Sequence, residues 1–228
     1  MALGYTNSGP GGADFMPIAK FDARSGRTFR VDREDGVNVP TDITHNFKAV
    51  FDFENIEMGW IYFVAGSPPD FQMQPLGMPR APKPSDFHKY GFRMNIKLSA
   101  ECGGNCRDFS STAKGVGEAM DALHDEYLQG VKTNPGKLPV VIIKSTAPVT
   151  TGVGEKKSTN YKPTFEIIAW VKRPADLDEA ASAKALAATP APAPAPVASR
   201  GAPPSTGSSR AAAPAPRAAA PADDEDFG

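Results

Sequence analysis

Two cysteines in 228 residues are too few for a disulfide scaffold, and they suit a reducing compartment. Charge of one sign is also missing. Lys and Arg number 25 against 26 Asp and Glu, a net charge of -1. No global excess therefore advertises a nucleic-acid or membrane partner, and charge has to be read by segment. No apolar run reaches the roughly 18 residues of a membrane span. Residues Met1 to Pro10 have neither a basic start nor an apolar stretch, so they do not read as a secretory signal. Apolar residues make up 40 %, below the usual globular share. These absences point to a soluble, cytoplasmic protein with no membrane partner. What the chain has in excess is Pro, 23 residues, and Gly, 21 residues.

Nine of the prolines fall between Ala181 and Ala222, in a stretch that is almost all Ala, Pro, Ser, Gly and Thr and has no aromatic. Such a segment buries too little apolar surface to offset its conformational entropy, and disorder is the expectation. The Ala-Pro alternation from Thr189 to Val197 predicts an extended spacer. Residues 176–188 can form a frayed helix with little to pack it. The spacer closes on Asp223, Asp224, Glu225, Asp226, Phe227 and Gly228. The charge then divides: residues 1–175 carry net +2 and residues 176–228 net -3. The sequence thus predicts a body over 1–175, a linker over 176–222 and an acidic tip over 223–228.

Within the body, residues 16–31 read as a hairpin turning at Arg24 to Arg27. Asn46 to Phe53 alternates Phe47, Ala49, Phe51 and Phe53 with polar residues, the period of a half-buried strand. Met58 to Ala65 is a second strand, apolar on both faces. Six prolines in residues 66–89 argue for a long irregular loop, of the kind that often carries function. Tyr90 to Leu98 is a third strand, with Arg93 and Lys97 on its polar face. Val116, Met120, Leu123, Tyr127 and Val131 recur at helical steps, with Ser110, Ser111 or Thr112 as the cap and Gly130 near the end. Residues 138–144 and Thr164 to Lys172 read as the last two strands, joined by a polar loop over 145–162.

Three strands, a helix and two strands is the order of an OB-fold, a five-stranded Greek-key barrel that binds single strands or sugars. A plain α+β sheet is the other way to draw it. The first reading classes the chain as all-β, a barrel with one helix followed by a disordered tail.

Body, Ala/Pro-rich spacer and acidic tip with an aromatic resemble a single-stranded-DNA-binding protein of the phage-encoded type. The stretch Asn-Tyr-Lys-Pro-Thr-Phe-Glu-Ile-Ile-Ala-Trp-Val-Lys-Arg-Pro-Ala-Asp-Leu, from Asn160 to Leu177, is similar to the end of such a binding domain. The resemblance implies an OB domain gripping single-stranded DNA in replication, recombination or repair, in the host cytoplasm. It implies an acidic tail that recruits replication or recombination proteins and competes for the basic groove. It implies no cofactor, no metal and no catalysis, and it permits a homo-oligomer. One departure stands out: bacterial relatives end in Pro-Phe, whereas here Gly228 follows Phe227.

The residues suit that role. A base stacked on an aromatic ring gains about 1–3 kcal/mol whatever its identity, and Lys or Arg beside it supplies the salt-dependent phosphate term. The stacking candidates are Trp60, Tyr62, Tyr90 and Trp170. The phosphate candidates are Arg93, Lys97, Lys144, Lys156, Lys157 and Lys172. In the tip, Asp223, Asp224, Glu225 and Asp226 mimic a row of phosphates, and Phe227 gives a partner an apolar anchor.

Other patterns carry less. Cys102 and Cys106 have metal-ligand spacing but lack a second tight pair. Ser111 to Lys114 matches Ser-x-x-Lys without its companion motifs, and Asp226-Phe-Gly228 follows no catalytic loop. Gly115-Val-Gly117 is not followed by Gly-Lys-Ser/Thr. Two alternatives stay open: a metal-dependent nuclease whose acids converge only in space, and an adaptor that uses only its tail.

Overall fold

A computed structural model describes residues 17–34, 37–64, 69–154 and 157–180. The chain enters a hairpin, β1 (Ile18–Asp22) and β2 (Arg27–Glu34). Its turn is local chemistry: the Asp22 carboxylate accepts from the Arg24 N–H and the Ser25 hydroxyl. Gly26 follows with φ +70°. A Cβ at Gly26 would also stand 2.9 Å from the Tyr161 ring, so glycine is required twice over. Among the described residues β3 (Val37–Asp42) pairs only with β2, and Pro40 sits in it as an edge strand allows.

The core strands follow. β4 (Lys48–Phe51) runs into a 3-10 turn at Phe53–Asn55. β5 (Glu57–Tyr62), β6 (Asp70–Pro75) and β7 (Lys89–Leu98) form a three-stranded tip. β8 (Cys106–Ser111) pairs with β7 and, in parallel, with β1. After α1 (Lys114–Gly130), β9 (Lys137–Thr151) and β10 (Ser158–Lys172) make a long antiparallel hairpin. The sheet order is β10-β9-β4-β7-β8-β1-β2-β3, with β5 and β6 branching from β7.

The protein is thus mostly β, with few helices. The sheet wraps a core of Phe51, Phe92, Met94, Ile96, Phe109 and Val141. α1 lays Val116, Met120, Leu123 and Tyr127 on that core, the face its spacing predicts. The wrap returns on itself where the Tyr161 N–H donates to the Ala23 carbonyl at 2.6 Å.

Several expectations change. The five strands expected from the sequence do not close a ring, because β4 pairs with β7 and β9 while β5 pairs with β6 and β7. The sheet is mixed and open, and among the described residues it holds ten strands. Within the stretch read as an irregular loop over 66–89, residues 70–75 form β6, whose Pro75 lies at its end. β8 was hidden because Cys-Arg-Asp-Phe-Ser-Ser shows one aromatic and no aliphatic residue. The polar loop over 145–162 is largely ladder, from Ser145↔Thr164 to Thr151↔Ser158. Its Thr and Val residues favour strand even where nothing covers them. α1 has Ala113 at its N-cap, with no side-chain cap; the Ser111 hydroxyl instead accepts from the Ala113 N–H at 3.2 Å.

The body also extends past residue 175. Residues 175–180 are helical, Leu177 is fully buried and Ala180 nearly so. Arg173 pairs with Asp52 at 2.7 Å and Glu54 at 3.0 Å, and Lys97 pairs with Asp176. The linker expected over 176–222 therefore begins inside the body; its remainder from 181 and the tip over 223–228 lie outside the described residues.

Candidate functional site

Alternation along β5 puts Met58, Trp60 and Tyr62 on one face. The β5–β7 register sets Trp60 opposite Tyr90 and Met58 opposite the buried Phe92. Three of the four stacking candidates therefore come together at the tip. Trp60 and Tyr90 meet edge to face at 5.4 Å. All three are half-buried.

What covers them is residues 76–88, a strap carrying Pro79, Pro82 and Pro84. The Trp60 indole N–H donates to the Ala81 carbonyl at 2.8 Å. The Arg80 guanidinium lies 3.8 Å from the Tyr90 ring centre and 4.5 Å from that of Trp60. Phe87 stacks on Tyr62 at 5.6 Å and 27°. His88 is buried and fastens the strap's far end: one ring nitrogen bonds Asp70 at 3.0 Å and the other the Ser85 hydroxyl at 2.8 Å. Ser, His and Asp in a row resemble a nucleophile relay. Here Ser85 and His88 share one turn, closed by His88 N–H to the Ser85 carbonyl at 3.2 Å, so the row ties strap to β6.

Trp170 lies elsewhere. The β9–β10 ladder has a one-residue irregularity between Ile167 and Ala169. A bulge reverses the alternation beyond it. Ala169, on the core side by strict alternation, becomes exposed, and Trp170 turns onto α1, stacked on Tyr127 at 5.8 Å and 23°. A Cβ on Gly130 would come within 2.3 Å of its ring. The structure places Trp170 as a packing residue, where strict alternation set it on the solvent side with Glu166 and Lys172.

The cations divide in the same way. Arg93 is held by Asp108 and lies over the Phe71 ring at 4.1 Å. Lys97 is held by Asp176, and that partnership keeps the Asp176 carboxyl below its ordinary range. Lys144 pairs with Glu166 at 3.0 Å but is 60 % exposed. Lys157 and Lys172 are exposed, on the β9–β10 arm and at the end of β10. Lys156 and the tip residues Asp223, Asp224, Glu225, Asp226 and Phe227 lie outside the described residues.

Arg80, Phe87 and Lys89 are absent from the sequence-derived set, yet all three are exposed on or beside the strap. A cleft of about 290 Å³ runs between the tip and α1, walled by Ile56, Met58, Tyr90, Phe92, Met120 and His124. The thiols are quiet. The Cys102 Sγ is buried against the Asn46 carbonyl at 2.9 Å. Burial first, then the Asp176 charge, pushes Cys106 up to about 11. Among the described residues no group of three or more His, Cys, Asp and Glu side chains could hold a metal ion. No helix among them is long and apolar enough to cross a membrane.

Comparison with protein-family models, curated proteins and solved structures gives no match for this chain, so its function is argued from its own residues.

Proposed function

We propose that the chain is a sequence-tolerant single-stranded-DNA-binding protein, without catalytic activity, that protects single strands in phage-type replication, recombination or repair. The observation that carries this reading is the tip: Trp60, Tyr62 and Tyr90 gathered on one face, with Arg80 over Trp60 and Tyr90, and with Lys89 and Arg93 alternating to the other face of β7. Aromatic rings interleaved with cations answer both features of a single strand, its unstacked bases and its phosphates. With β6 and β8 set aside, the order β4, β5, β7, α1, β9, β10 is that of an OB-fold and supports an OB-like reading, although these strands do not close a ring. The exposed β9–β10 arm, with Lys144 and Lys157, stands where such barrels carry a binding loop. Beyond the body, the acidic tip from Asp223 to Phe227 competes for the basic surface and recruits replication or recombination proteins once DNA displaces it.

The test is fluorescence anisotropy of labelled oligo-dT with the full chain at several salt concentrations, with duplex DNA and single-stranded RNA as competitors. Salt-sensitive binding that duplex fails to displace is the expected result. No binding at low salt would remove the reading and favour the adaptor alternative, in which the tail alone has a partner.

A further inference from the structure

We propose that the strap over residues 76–88 is itself the strand-binding surface, with Phe87 as its outer stacking platform and Arg80 as a fixed phosphate fork. Trp60, Tyr62 and Tyr90 are then the supports beneath it. This rests on the single-strand reading above and changes which residues meet the ligand.

Exposure decides first. Phe87 is 69 % exposed although its ring is already stacked on Tyr62. A base laid on it extends a column that has begun within the protein, and the ring is ordered before the base arrives. Little side-chain entropy is then left to lose on binding. Met78 and Leu76, 60 % and 48 % exposed, add apolar surface on the same strap. A cluster of exposed large apolar side chains on a small body marks an interaction site.

Arg80 is placed for the other half of the ligand. Its guanidinium lies over Tyr90 and Trp60, and among the described residues it forms no ion pair within 4 Å. Contact with two rings holds the guanidinium in place, and the N–H groups that do not face the rings are free to grip a phosphate through two parallel hydrogen bonds. Lys83 follows it three residues along the strap, and Lys89 opens β7 just before Tyr90. On the strap itself the acid is Asp86, fully exposed beside Lys83; Asp70 of β6 is held by His88, and Glu118 and Asp121 of α1 line the cleft beside Tyr90.

The opposite idea is that the strap is a lid that must lift to free the inner rings. Lifting would break the Trp60–Ala81 hydrogen bond, both Arg80 contacts, the Phe87–Tyr62 stack and the His88–Asp70 bond together. The prolines at 79, 82 and 84 restrict the strap's other conformations, which lowers the entropy gained by release. A fixed platform fits these observations better than a gate.

The two ideas differ in sign. The full chain and its variants are titrated against labelled oligo-dT across a salt series, with Trp emission and the thermal midpoint recorded for each. Phe87→Ala is expected to weaken binding roughly tenfold, and Phe87→Tyr to restore it. Arg80→Ala and Arg80→Gln are expected to lower the slope of log K against log salt by about 0.7, one phosphate contact on a single strand. Gln keeps a planar group over the rings, so it decides the matter if Ala loosens the strap and shifts the Trp emission. Unchanged or tighter binding by Phe87→Ala, with an unchanged slope in Arg80→Gln, would overturn the proposal and make the strap a lid. If the wild-type chain fails to bind oligo-dT at low salt, the single-strand reading itself fails, which is a separate observation on the unmutated protein.

Discussion

The chain has two tryptophans, and each is paired with an aromatic neighbour and a residue that fits closely over it. Trp60 meets Tyr90 edge to face and is topped by the Arg80 guanidinium, an exposed charged group. Trp170 stacks on Tyr127 and is closed by Gly130 of α1, a backbone surface with no room for a side chain. The first arrangement holds a cation and a hydrophobic platform at the solvent boundary. The second removes apolar surface from water and fixes a helix on a sheet. Identical side chains on strands of the same sheet therefore stand beneath an exposed cation at one end and inside a packed helix contact at the other, and the neighbour above the ring separates the two.

The largest effect should come from removing the cohesive ring. Trp170→Ala deletes the contact between β10 and α1, and a half-buried Trp at such a site is expected to cost about 3 kcal/mol. Urea denaturation at neutral pH measures it. The folded fraction should still bind oligo-dT with wild-type affinity. A variant of normal stability that has lost DNA binding would reverse the assignment and return Trp170 to the stacking set.

Next in size is the C-terminal edge of the body. A chain ending at 175 loses the fully buried Leu177 and the carboxylates of Asp176 and Asp178, whereas one ending at 180 keeps them. The shorter chain is expected to be about 2 kcal/mol less stable than the longer one. The chain ending at 180 should bind oligo-dT at least as tightly as the full protein, since the acidic tip no longer competes. Equal melting of the two truncations would show that the helix at 175–180 adds nothing.

Much of this arrangement was written in the sequence, and the exceptions have physical causes. The β1–β2 hairpin, the strand from Tyr90 to Leu98 and the helix from Val116 to Tyr127 follow from period and turn chemistry, and the strand and the helix bury the faces their periods predict. Trp60, Tyr62 and Tyr90 come together because β5 and β7 keep strict alternation across their register. Trp170 departs because one bulge changes phase, and no local residue pattern announces where a strand of Ile, Ile and Ala will bulge. Arg80 and Phe87 escaped because their partners are distant in sequence. A proline-rich segment shows no period, and its use as a strap depends on what it lies against. Arg93 and Lys97 looked free on an alternating strand; their carboxylates, Asp108 and Asp176, arrive from 15 and 79 residues away.

A smaller effect separates support from platform at Trp60. Trp60→Phe keeps an aromatic ring under Arg80 but removes the hydrogen bond to the Ala81 carbonyl. The cost should be about 1 kcal/mol, the worth of one partly buried hydrogen bond. In that variant Trp170 is the sole indole. Its emission should stay unchanged on adding oligo-dT, whereas in Trp170→Phe the emission of Trp60 should be quenched. Quenching in both, or in neither, would dissolve the distinction between the two tryptophans.

The smallest effect concerns acid and the Trp170 end of β10, where Lys97 holds Asp176. That hydrogen bond keeps the Asp176 carboxyl below its ordinary 3.8. A carboxyl whose value is depressed in the folded chain stabilises it fully above 3.8 and loses that contribution as pH falls through the folded value. Asp176 is 41 % exposed, so solvent screens the pair and the contribution is about a few tenths of a kcal/mol. Asp176→Asn should therefore be slightly less stable than the wild type in urea at pH 7, and the gap should narrow as the pH is taken well below 3.8. Cys106 stays a neutral thiol throughout that range, because its own value is pushed up to about 11, and it adds no charge to the comparison. A gap that widens in acid would mean that the carboxylate is repelled rather than held at this end of the body.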